Sequence, residues 1–164
     1  MSNHTTTCEQ AAREAGAVLM QWRRKVTARE KGPSDLVTEA DHAAQHVAQR
    51  VLLAAHPDFG FLGEEGEAAQ NAANFTDPQQ PEYCWIVDPL DGTMNFVHDL
   101  PGWCVSIGLA RRGQVVAGCV FDPVADRCFT AESGGGAFCN GAPLATSGAV
   151  ALRDALVAIS LPAS

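Results

Sequence analysis

The chain has 164 residues, enough for a single domain over 1–164 with a real core. Hydrophobic residues make up 46% and charged residues 18%, the balance of a globular protein. Eleven Lys and Arg against nineteen Asp and Glu give a formal net charge of −8, which argues against nucleic acid or an anionic membrane as a partner.

Taken in chain order, Thr7-Cys8-Glu9-Gln10 has capping-box spacing and opens a first helix over about residues 8–29. Ala12, Ala15, Val18, Leu19, Trp22 and Val26 recur at helical spacing, so one face is buried. Lys31-Gly32-Pro33-Ser34 reads as a loop and Asp35-Leu36-Val37 as a short extended piece. Thr38-Glu39-Ala40-Asp41 again has capping-box spacing and puts Asp41 in the first turn of a second helix, which runs to about His56, before Pro57. Its apolar stripe is Ala40, Ala44, Val47, Val51 and Leu52. Phe59 to Leu62 reads as a strand ending at Gly63-Glu64-Glu65, and residues 66–82 as a polar surface loop with a short helical piece at its start.

Cys84-Trp85-Ile86-Val87 is a buried strand, followed by a helix from about Thr93. Val105–Ala110, Val115–Phe121 and Arg127–Ala131 form an antiparallel meander, Asn140-Gly141 is a tight turn, and Ala155 to Leu161 reads as one last strand. Helices first and antiparallel strands after give an α+β fold, two long helices packed on a largely antiparallel sheet. None of the six cysteines forms C-x-x-C, and Cys84, Cys104 and Cys119 lie in apolar runs. Reduced, structural thiols and a cytoplasmic location follow. Met1 to Thr7 is polar and lacks the apolar core of a signal peptide, and no run is long enough to span a membrane.

The chemistry concentrates in Asp88-Pro89-Leu90-Asp91-Gly92-Thr93-Met94-Asn95-Phe96-Val97-His98. Two carboxylates sit three residues apart where a strand ends. Pro89 fixes φ and has no N–H to donate. Gly92 lets the backbone approach a ligand, and Thr93 offers a hydroxyl and an N–H. Glu64, at the end of another strand, joins Asp88 and Asp91 as a candidate ligand, because α/β sheets commonly place ligands at strand C-terminal ends. Carboxylates and a backbone carbonyl suit a hard cation such as Mg2+. The N–H groups of Gly92 and Thr93 at a helix start suit a phosphate. The plainer account of Asp91-Gly92 is a hairpin turn, which leaves Asp88 and the Asn95-Phe96-Val97-His98 tail unexplained. The plainer account of Asp41 is a helix cap. His42 and His46 lie four apart on a helix with no third ligand nearby, as expected of an exposed face.

The 88–98 run resembles the signature of the inositol monophosphatase family, magnesium-dependent, lithium-sensitive phosphomonoesterases. Asp35-Leu36-Val37-Thr38-Glu39-Ala40-Asp41 and Phe61-Leu62-Gly63-Glu64-Glu65 match the same family in order, and Gly134 to Gly141 matches more loosely. The resemblance implies the N-terminal part of a layered α/β/α fold. It implies that Glu64, Asp88 and the carbonyl of Leu90 hold a first Mg2+, and that Asp88 bridges to a second, also held by Asp91. It pairs Asp41 with the Thr93 hydroxyl as the catalytic pair that orients the attacking water. The implied substrate is a small phosphorylated polyol such as myo-inositol 1-phosphate, and the implied assembly is a homodimer. The family's second half carries a Trp-Asp motif with a further metal-binding Asp, and this sequence has no such motif. Weak binding of the second metal is therefore expected if this is the whole protein. Two alternatives stand beside this reading: a non-catalytic metal-binding fragment or truncated relative, and a nucleotide or sugar bisphosphate phosphatase of the same superfamily.

Overall fold

The computed structural model describes residues 3–23, 29–32, 35–37, 39–64 and 81–157, with the side chains of 29–32 and 35–37 left out. Helix α1 spans Asn3–Trp22, strands β1 (Arg29–Gly32) and β2 (Asp35–Val37) pair antiparallel, and helix α2 spans Glu39–Ala55. Then come β3 (Gly60–Gly63), β4 (Tyr83–Asp91), the short helix α3 (Thr93–Val97), β5 (Cys104–Arg111), β6 (Gln114–Asp122), β7 (Arg127–Glu132), β8 (Gly136–Cys139) and β9 (Ala142–Pro143). A 3-10 turn follows at Leu152–Asp154.

β3 to β9 form one seven-stranded sheet in sequence order. β3 and β4 run parallel and every later pair is antiparallel. The α+β expectation of two long helices on a largely antiparallel sheet is what the structure has. α1 lies along α2 and over β5, β6 and β7, while α2 covers β3 and β4. Small residues make the helix pair close: Ala11, Ala12 and Ala15 on α1 and Ala40, Ala44 and Ala48 on α2 are all fully buried. Beneath them sit Leu19, Leu52, Trp85, Val105, Ile107 and Leu109. Each large apolar side chain buried in this way contributes about 1.5–3 kcal/mol relative to exposure. Trp85 and Trp103 are in the core, and Trp22 is half-buried.

Three expectations need correction. α1 begins at Asn3, not Cys8, and Arg29 is already in a strand. The Thr7 hydroxyl donates to the Asn3 carbonyl one turn back, so Thr7 sits inside the helix instead of capping it. Lys31-Gly32 belongs to β1, because the chain from Arg29 turns back on Asp35–Val37. Ala155 to Val157 are irregular, coming directly after the 3-10 turn, and the rest of that expected strand lies outside the described residues. Glu65, Val26 and the expected helical piece after residue 65 lie outside them as well. The Asn140-Gly141 turn forms with φ 47° and 77°, the left-handed pair that a two-residue hairpin turn requires.

Candidate active site

The site is built by the register of three strands. β4 pairs with β5 so that Asp88 lies opposite Ser106 and Asp91 opposite Cys104. Three steps along β4 therefore match two along β5, which is a one-residue bulge. In an unbroken strand, residues three apart point to opposite faces. The bulge cancels that, and Asp88 and Asp91 emerge on the same face. Pro89 sits in the bulge, where a residue without an N–H costs the ladder nothing.

β3 delivers the third carboxylate. Gly63 is level with Val87 in the parallel pair, and the Glu64 N–H continues the ladder by donating to the Val87 carbonyl at 3.1 Å. Glu64 therefore arrives beside Asp88, close enough for its charge to act on the Asp88 carboxyl. Close packing fixes this corner: a Cβ at Gly63 would run into the Gln45 side chain of α2. The Leu90 N–H donates to Asp88 Oδ1 at 3.1 Å, and the Thr93 hydroxyl donates to the Leu90 carbonyl at 3.0 Å. Gly92 takes φ 90° at the turn into α3, and a Cβ there would meet the Gly102 carbonyl at 2.7 Å. α3 is held by Phe96, buried edge-on against Trp103 with ring centres 4.9 Å apart, and by the Asn95 side-chain amide donating to the Gly102 carbonyl at 2.8 Å.

The electrostatics are those of crowded negative charge. Burial, then the neighbouring Glu64 and then Asp91 push the Asp88 carboxyl up to about 7. Glu64 and Asp91 are exposed, Asp88 half-buried, and Leu90 buried with its carbonyl toward Thr93. Among the described residues, no three His, Cys, Asp or Glu side chains converge closely enough to cage an ion unaided. The donor chemistry nonetheless fits a hard divalent cation: the carboxylates and the Leu90 carbonyl offer only oxygen, and a dication relieves the repulsion that burdens Asp88.

Asp41 is 2% exposed in the first turn of α2 and has an interaction partner. His42 and His46 are exposed, as expected, and so is His98. Sequence reasoning misses Cys104. Its apolar run suggests a plain core position, but its Sγ lies 3.8 Å from Asp91 Oδ2, and burial followed by the charges of Asp91 and Asp88 pushes its thiol up to about 12. Alternation along β5 from Val105 is the signal that Cys104 shares the face of Ser106. The helix-start expectation for Gly92 and Thr93 also narrows. α3 has only five residues, so its dipole is short and the N–H groups themselves would have to serve a phosphate.

Three carboxylates at strand ends beside a glycine turn offer the oxygen donors that a hard cation prefers. The chain belongs to the inositol monophosphatase family, whose model it matches over residues 1–164; the family uses divalent metal ions. It is 44% identical over 132 residues to the inositol-1-monophosphatase of Rhizobium meliloti (strain 1021), a match covering 80% of this chain and 47% of that protein. The crystal structure of the extragenic suppressor protein suhB from Bartonella henselae superposes with a TM-score of 0.78 at 37% identity, covering 90% of this chain and 56% of that one. An IMPase/NADP phosphatase solved with NADP and Ca2+ superposes with a TM-score of 0.72 at 28% identity, covering 87% of this chain and 52% of that one. The chain spans about half the length of the curated relatives it matches. No helix among the described residues is long and apolar enough to cross a membrane.

Proposed function

We propose that this chain carries the metal-binding half of a phosphomonoesterase that hydrolyses a small phosphorylated polyol such as myo-inositol 1-phosphate. The observation that supports it most is the β4 bulge, which brings Asp88 and Asp91 to one face beside Glu64. Glu64, Asp88 and the Leu90 carbonyl would hold one Mg2+, and Asp88 with Asp91 a second. When bound, Mg2+ neutralises phosphate charge, makes water a better nucleophile and steadies the departing oxygen.

The chain's own residues do the rest. Asp88 is oriented by the Leu90 N–H, so its carboxylate is fixed before any ligand arrives. Thr93 and Asp41 would orient the attacking water, with Asp41 accepting a hydrogen bond from the Thr93 hydroxyl. The donor to the Leu90 carbonyl is the Thr93 hydroxyl, so taking up that role requires the hydroxyl to turn from Leu90. The N–H groups of Gly92 and Thr93 receive the phosphate oxygens. Lithium sensitivity, a cytoplasmic location and a homodimeric assembly belong to the same reading.

The test is phosphate release from inositol 1-phosphate by the 164-residue chain across a Mg2+ titration, with Asp88→Asn as control. Activity that needs Mg2+ and is lost in the variant supports the reading. Folded protein with no activity above the variant leaves a metal-binding segment without turnover. A preference for a nucleotide or sugar bisphosphate would move the substrate assignment within the superfamily.

A further inference from the structure

Away from the carboxylates, β6 and β7 bring two thiols together under α1. Cys119 lies opposite Thr130 and Phe121 opposite Cys128, so the two cysteines are diagonal neighbours on one face. Their Sγ atoms are 3.3 Å apart, and the residues are 2% and 1% exposed. All six cysteines are free thiols. Diagonal neighbours in a sheet lie about 7–8 Å apart, their Cβ atoms somewhat less, and the two side chains turn toward each other until the sulfurs touch.

We propose that Cys119 and Cys128 are a redox dithiol, oxidised by a hydroperoxide to an internal cross-strand disulfide and reopened by a dithiol reductant. The pair is asymmetric in the way such chemistry needs. The hydrogen bond between the two thiols holds the Cys128 thiol below its ordinary range, and the Arg13 charge adds to this against burial and Glu9. The same hydrogen bond, then burial, pushes Cys119 up. Cys128 is thus the nucleophile and Cys119 the resolving thiol. Glu9 and Arg13, which neighbour Cys128, are themselves partly exposed at 28% and 37%. A hydroperoxide would have to reach the buried pair past these two side chains.

The Cys128 thiolate attacks one peroxide oxygen, the O–O bond breaks, and the departing hydroxide takes the proton Cys128 gave up. Cys119 sulfur then attacks the Cys128 sulfenic sulfur, the S–O bond breaks as the S–S bond forms, and the hydroxide leaves as water with the Cys119 proton. Two thiols lose two electrons, and one peroxide becomes two waters. Disulfides favour Cβ atoms about 3.5–4.5 Å apart, so a diagonal bridge requires the backbone of β6 and β7 to shift. The resulting strain makes it a readily reduced bond.

The experiment treats the whole chain with hydrogen peroxide, alkylates the remaining thiols and maps the peptides without reduction. The expected result is a Cys119–Cys128 link two hydrogens lighter than the separate peptides. Free thiols fall from six to four, and dithiothreitol restores them. In Cys119→Ser the reaction stops at a Cys128 sulfenic acid that dimedone traps. Both thiols still alkylated after peroxide in the wild-type protein, or Cys128 linked to the buried Cys8 instead, would overturn the proposal.

Discussion

Asp88→Asn separates what the site costs the fold from what it does for function. In the metal-free protein the Asp88 carboxyl is raised from its ordinary 3.8 to about 7 by burial and by the charges of Glu64 and Asp91. A carboxyl raised in the folded state contributes stability that is fully present below its unfolded value and is lost as pH rises through its folded value. The loss therefore accumulates between about pH 4 and pH 7. For a fully buried group that rise corresponds to about 4 kcal/mol. Asp88 is partly solvent-exposed, so screening reduces this to about 1–2 kcal/mol.

The amide that replaces the carboxyl in this variant carries no charge at any of these pH values. Urea unfolding in EDTA should show the variant gaining about 1–2 kcal/mol on the wild type between pH 4 and pH 8. Mg2+ should reverse the order. At 100 times its Kd a ligand adds about 2.7 kcal/mol, and only the wild type should receive most of that. A wild-type-to-variant difference flat from pH 4 to pH 8, or equal stabilisation of both proteins by Mg2+, would refute the reasoning.

Gly92→Ala should destabilise the chain by about 2–4 kcal/mol in urea, because the residue holds φ 90° and the new Cβ meets the Gly102 carbonyl at 2.7 Å. An unchanged midpoint would mean that this turn relaxes freely. Phe96→Ala removes the buried anchor of α3 and should cost about 3–5 kcal/mol by the same assay, while Phe96→Leu should cost distinctly less. Thr93→Ala should lower turnover by about 100-fold or more with a smaller change in the Mg2+ midpoint, and Thr93→Ser should restore most of the rate. Equal losses in both quantities would make Thr93 a scaffold for the Leu90 carbonyl only.

Much of the fold is legible because the periods are clean. Ala40, Ala44 and Leu52 lie on one helical face and are buried together, and the β5–β7 meander alternates as its sequence does. The start of α1 is hidden because Thr7 offers capping chemistry at a place where the helix has already formed. Its hydroxyl bonds within the helix, and nothing local distinguishes the two uses. The β1–β2 pair looks like a loop in the sequence because Gly32 and Pro33 interrupt it. Glu64, Asp88 and Asp91 can be singled out by type and position, since α/β sheets commonly place ligands at strand C-terminal ends. Their meeting cannot be read, because it depends on β3 and β4 running parallel and in register. That is a tertiary fact carried by no local pattern.

The bulge explains why this motif has a spacing that a regular strand would forbid. Carboxylates two apart on β4 would share a face without any irregularity, but the residue between them would keep its place in the ladder and the backbone would stay flat. With the spacing of Asp88 and Asp91, the extra residue bends the strand, and the chain leaves the sheet at Gly92 directly into α3. The same bend turns the Leu90 carbonyl toward the Thr93 hydroxyl and the Leu90 N–H toward Asp88. One backbone irregularity thus positions two carboxylates, a carbonyl and a hydroxyl together. The site is therefore a property of the backbone path first and of the side chains second. Substitutions at Asp88 test its chemistry, while those at Gly92 and Phe96 test the path that assembles it.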